Sequence, residues 1–189
     1  MASVVGIWNL ALTPLGVNRV MDPLDETEQA RKCSAIYEEV RDDELSSHPW
    51  NFAKARELCA LNATAPKFEF AYSHKKPSGA LRLLEIESNE LPYKIEGDNI
   101  LCNINPLYVK YIRGVVDPNE MPSYFRVLVA ARMTVELAFS LTDSSIFMER
   151  FMTIYTEKKK QARASDAQEG RPTAIFSDRW VDCRVGNVR

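Results

Sequence analysis

The sequence predicts a mainly α protein with inserted β structure, an α+β class. It comprises a four-helix bundle, a small antiparallel sheet between helices 2 and 3, and an extended C-terminal tail. Three observations lead there. Apolar residues recur at helical spacing in both flanks of the chain, and Asn51 to Val116 switches to short aromatic and β-branched runs; residues 171–189 have no period. The 189 residues are 46% hydrophobic and 26% charged, which is ordinary for one folded domain. Such a domain buries roughly 70% of its unfolded surface and needs no disulfide or metal to hold it. The divisions expected are a domain over 1–170, with helical parts 1–50 and 117–170 flanking a β region 51–116, then the tail 171–189.

Val4, Val5, Trp8, Ala11 and Leu12 share one helical face, predicting a first helix over 3–13 that Thr13-Pro14-Leu15-Gly16 stops. The run lacks a basic leader and is too short to cross a bilayer, so synthesis in a reducing cytoplasm is expected. A connection follows. Asp25 with Glu28 then reads as a capping box for a second helix over 26–46. Ala30, Cys33, Ile36, Tyr37 and Val40 form its apolar stripe, and its charges, Glu38, Glu39, Asp42, Asp43 and Glu44 among them, read as the solvated face. Pro49 ends it and pushes His48 to extended geometry.

Strand-like runs follow at Phe52 to Leu61, Phe68 to His74, Leu81 to Glu87, Tyr93 to Glu96, Asn99 to Ile104 and Tyr108 to Val115. The first is the least strand-like. Lys67 to Tyr72 alternates as a half-buried strand does, and Gly97-Asp98 suggests a tight hairpin. Helical spacing returns at Pro122 with Tyr124, Leu128, Ala131, Val135, Ala138 and Phe139, ending near Thr142. Asp143 or Ser144 caps a fourth helix carrying Phe147, Phe151, Ile154 and Lys158, and Gly170 ends it.

The chemistry of the chain is sparse. It has 24 Lys+Arg against 26 Asp+Glu, so it lacks the cationic surplus of a protein that grips nucleic acid. There is no glycine-rich phosphate loop, no G-x-S-x-G and no H-E-x-x-H. Cys33, Cys59, Cys102 and Cys183 are scattered and read as reduced, small core fillers. His48 reads as shaping the turn at Pro49, and His74 as structural or solvated at a loop before two lysines. No catalytic residue, cofactor or metal is therefore expected. Lys158-Lys159-Lys160 with Arg163 suits a helix C-terminus. In the tail, Arg171, Ile175, Phe176, Arg179 and Trp180 need a cover, and docking on a partner is favoured over packing on the same subunit.

Cys33-Ser34-Ala35-Ile36-Tyr37-Glu38-Glu39-Val40-Arg41-Asp42 followed by His48-Pro49-Trp50-Asn51-Phe52-Ala53 resembles the tail tubular protein A family, the head-to-tail adaptors of short-tailed bacteriophages. Ala11 to Gly16 with Asn18-Arg19-Val20 in front, and Ala162 to Gly170 behind, extend the likeness over about residues 8–170. The resemblance implies a virion protein at the head-tail junction, made in the host cytoplasm. It implies a dodecameric ring, typically about twelve identical subunits, closed through heterologous faces. Its neighbours would be the portal above and a tail nozzle resembling tail tubular protein B below. Genomic DNA would pass through the channel without sequence-specific binding, and no membrane is involved. The tail residues Arg171, Ile175, Phe176, Arg179 and Trp180 would then meet the portal. Glu38, Glu39 and Asp42 on helix 2 facing Lys158 and Lys159 on helix 4 would form the subunit interface. The chain is thus expected to be a structural adaptor and not an enzyme. The alternative is a cell-wall hydrolase with a carboxylate pair in the same connector. A DNA-binding module, which would show steep salt dependence, is a third reading.

Overall fold

The computed structural model describes residues 1–87, 91–142 and 145–170. Helix α1 (Val4–Leu12) starts where the Ser3 hydroxyl accepts the Gly6 N–H at 3.0 Å. A 3-10 turn over Thr13–Leu15 ends at Gly16, whose φ of 70° is a conformation glycine adopts without a side-chain clash. The connection after it is pinned by Asn9. Its side chain donates to the Val20 carbonyl at 2.8 Å and accepts the Val20 N–H at 2.9 Å, and Val20 is buried.

The expected cap at Asp25 is corrected. The Asp25 carboxylate accepts the N–H groups of Met21 and Asp22, both at 3.0 Å, and so belongs to the loop upstream. The Thr27 hydroxyl accepts from the Ala30 N–H, and α2 (Glu28–Ser47) begins two residues later than expected. His48 closes it in the extended conformation that the following proline imposes.

The expectation of one small sheet is also corrected. Among the described residues six strands form two three-stranded antiparallel sheets. β1 (Lys54–Cys59), β3 (Ala80–Ile86) and β6 (Leu107–Arg113) make one in the order β1-β6-β3. β2 (Tyr72–Lys75), β4 (Tyr93–Glu96) and β5 (Asn99–Cys102) make the other in the order β2-β5-β4. The reason lies in β6, which buries side chains on both of its faces. Ile112 joins the helical core, whereas Leu107, Val109 and Tyr111 join a second core with Ile86, Ile100 and Cys102. A sheet covered by helices on one face still needs a cover on the other, and the second sheet supplies it. Gly97, with φ 58°, begins the two-residue turn that pairs Glu96 with Asn99.

Residues 68–70 are not a strand. The backbone bends at Glu69 (φ 72°), and the Ala71 N–H donates to Asn103 Oδ1 at 2.8 Å, so β2 begins only at Tyr72. Phe70 is buried while Phe68, which would share its face in a strand, stays exposed, so the expected alternation is not kept.

Helix α3 (Ser123–Thr142) packs against α1, α2 and α4 (Ser145–Gln168). α1 runs parallel to it, since Thr134 Oγ1 donates to the Ala11 carbonyl and the Ala2 N–H to Asn119 Oδ1. α2 runs antiparallel, with Lys32 Nζ reaching the Ser140 carbonyl at 2.6 Å. The sheets therefore sit at the end of the helices where α2 and α4 finish. Asp143, Ser144 and residues 171–189, including Cys183 and the five tail anchors, lie outside the described residues.

Candidate functional site: the joint between helix 2, helix 4 and the first strand

The chain leaves α2 through His48-Pro49-Trp50-Asn51-Phe52-Ala53, and this corner is built around Trp50, which is fully buried. Its indole Nε1 donates to the Glu44 carbonyl at 2.7 Å, satisfying one of the free carbonyls at the end of α2. Its ring meets Phe125 edge to face at 5.3 Å and His48 at 4.7 Å, and Phe52 packs on Phe125 at 5.0 Å. An aromatic wedge thus fixes the angle between the helices and the sheet.

Asp166, on the last turns of α4, locks the same corner from the other side. Its side chain is almost wholly buried and accepts the Asn51 N–H at 2.7 Å and the Tyr124 hydroxyl at 3.3 Å; His48 Nε2 lies 3.4 Å away. Asn51 Nδ2 returns a bond to the Asp166 carbonyl at 2.6 Å. The two blocks His48 to Ala53 and Ala162 to Gly170, 115 residues apart at Asn51 and Asp166, are one structural unit. Burial lowers the His48 pKa, and the Asp166 charge opposes that only in part. Burial likewise raises that of Tyr124, with Asp166 adding to it.

One turn earlier on α2 lies a buried polar cluster. Glu44 is 0% exposed, correcting its place on a solvated face, and Arg41 is buried as well. The Glu44 carboxylate accepts the Tyr155 hydroxyl and stands 3.1 Å from Lys159 Nζ, which also donates to Tyr155 Oη at 2.7 Å. Arg132 lies over the Tyr155 ring, 5.5 Å from its centre, and pairs with Glu136 at 2.8 Å. Burial pushes the Tyr155 pKa up, and its bond to Glu44 adds to this. For Lys159 burial acts downward, but the bonds to Tyr155 and Glu44 outweigh it and hold the ammonium charged. The centre of the cluster is a buried ion pair whose carboxylate is wholly covered, while the Arg132 Nε at its edge has no hydrogen-bond partner.

The remaining residues of the expected interface are distributed unevenly. Glu38 and Glu39 are exposed on α2. Asp42 is half-buried and bonded to Arg41 Nε at 2.8 Å. Lys158 is half-buried, and its only bond among those described is a long one to Gln161. Lys159 is held inside its own subunit. Glu38 faces solvent and Glu44 is sealed, whereas Glu39, Asp43 and Glu136 line a hollow beside Arg132, which pairs with Glu136. Burial pushes the thiols of Cys33 and Cys59 up to about 11, so neither is a thiolate at neutral pH.

Of the two readings of His74 the structural one agrees with its burial, and the solvated loop is corrected. The residue belongs to β2, is fully buried, and donates through Nε2 to the Ile104 carbonyl at 2.9 Å, leaving Nδ1 without a partner. Its place in the ladder, opposite Ile100, decides its burial, and the lysine after it already faces water. Sequence reasoning also missed Asp166 as the partner of Asn51. The available signal was an acid on the apolar side of α4, four residues after Ala162. Among the described residues no group of three His, Cys, Asp or Glu side chains converges, and no helix is long and apolar enough to cross a membrane. Neither the protein-family models nor the curated proteins contain a match for this chain.

Proposed function

We propose that the chain is a head-to-tail adaptor subunit of a short-tailed bacteriophage virion. It forms a ring that links the portal to the tail nozzle and lines the passage for DNA. The observation that supports this most is the joint at Asp166 and Asn51. The two sequence blocks that carry the family likeness lie far apart in the chain yet hold each other, as expected of residues that set the angle between helices and sheets. An adaptor works by holding such an angle in every copy of a ring. The overall charge of −2 fits a channel that conducts a polyanion without gripping it.

In this reading Glu38 and Glu39 of one subunit face Lys158 of the next, and the tail residues Arg171, Ile175, Phe176, Arg179 and Trp180 anchor on the portal. Electron microscopy and native mass measurement of the chain, alone and mixed with a short-tailed phage portal, test it. Rings on the portal are the expected result. Copies that stay single and unattached in every mixture would reject it. Removing residues 171–189 should abolish attachment while the helical melting transition stays in place.

A further inference from the structure

Both α1 and α4 pack on α3, and where they do so a hollow of about 170 Å³ lies between them. Val127, Ala130, Ala131 and Thr134 form one stripe of α3 that lines it, and the two alanines are what leave the space. Leu10 and Pro14 wall it from the α1 side, Phe151 and Ile154 from α4. Leu10 and Ile154 are exposed, so apolar walls stand in contact with water, whereas Phe151 is buried.

One hydroxyl and one charge meet this apolar surface. The Thr134 hydroxyl spends its only proton inside the fold, facing the carbonyls of Ala11 and Ala130 at 3.0 and 2.9 Å, so the lining has no hydroxyl proton to offer. Lys158, one turn beyond Ile154 on α4, lines the same hollow and is half-buried. Among the described residues its ammonium has no carboxylate partner and reaches only Gln161 Oε1, at 3.4 Å.

Size, polarity and charge together select a ligand. A dry cavity of about 150 Å³ lined by Leu, Ile and Phe takes a benzene ring. A polar ring would lose its water here without a protein group to replace it. The unclaimed ammonium, carried on an apolar stem that stays against the wall, calls for an anion beside that ring. We propose that the hollow between α1 and α4 binds one apolar aromatic ring bearing a carboxylate on a short alkyl arm. The ring sits on Ala130 and Ala131 with Phe151 beside it, and the carboxylate meets Lys158 Nζ. This goes beyond the adaptor reading and does not depend on it.

Fluorine NMR titration of the full chain with para-fluorophenylpropionate, with no portal present, tests the site. The expected result is saturable binding to the parent chain and its loss in A131M, whose longer side chain fills the hollow. K158M should weaken binding about threefold, as loss of one exposed ion pair does. The uncharged para-fluorophenylpropanol should bind the parent as weakly as the acid binds K158M. V127F obstructs the hollow from an exposed position, so it carries the same test should A131M lose its melting transition. No binding to the parent, or binding that V127F leaves untouched, would overturn the proposal. An alcohol that binds as tightly as the acid would also overturn it, because the hollow would then belong to an uncharged apolar group.

Discussion

Glu44 shares a helix with Glu38 and Glu39, yet it is sealed while they face water. Six residues separate Glu38 from Glu44, and on a helix turning 3.6 residues per turn that moves the side chain to the side of α4. There Tyr155 and Lys159 receive it. Removing one member of a buried pair strands the other, so E44A should lower stability by about 3 kcal/mol. K159M, at a position that still touches solvent, should cost less. Urea unfolding of both variants and of the double variant checks this, and strict additivity would deny the coupling. His48 gives the pH dependence. Its folded pKa lies below the unfolded value of about 6.5, so the unfolded chain takes up the proton first. The stability it contributes is present above that value and is lost as pH falls through the folded pKa. H48Q should therefore flatten the fall in the urea midpoint between about pH 7 and pH 5. An unchanged slope would assign the acid sensitivity to carboxylates instead.

At the scale of the element, α2 shows where sequence reasoning reaches and where it stops. Of its stripe, Ala30, Cys33, Tyr37 and Val40 are buried and Ile36 is half-buried, because one helix face must pack. Its start is displaced because the two acceptors Asp25 and Thr27 compete for amides, and only the fold of the upstream loop decides that Asp25 turns back to Met21 and Asp22. T27A should then cost about 1 kcal/mol and speed amide exchange in the first turn of α2. No change there would return the cap to Asp25. The six strand-like runs were legible from their composition. Their division between two sheets was not, because local alternation records that a face is buried and not what buries it. β6 is the telling case, with Tyr111 and Ile112 adjacent in sequence and in different cores. The joint at Asp166 was hidden for the same reason: an acid on the apolar side of α4 marks a buried spot but does not name a partner 115 residues away.

At the scale of the whole molecule, the proposed ring would multiply small energies. An exposed ion pair is worth only about 0.5 kcal/mol, and α2 presents Glu38 and Glu39 to solvent without any strong internal claim on them. If each seam of a closed ring loses about 1 kcal/mol, the loss is repeated at every seam, and the closed form is penalised far more than a single contact. In the proposed seam the cationic side narrows to Lys158, because Lys159 already neutralises Glu44 within its own subunit. The double reversal E38K/E39K should therefore suppress rings at low salt while leaving the melting temperature close to that of the parent. K158E should do the same from the other face. Combining the two reversals should bring rings back, since opposite charges then meet again across each seam. Native mass measurement of all three variants on a portal decides it: rings of full size in either single-sided variant would remove these charges from the seam.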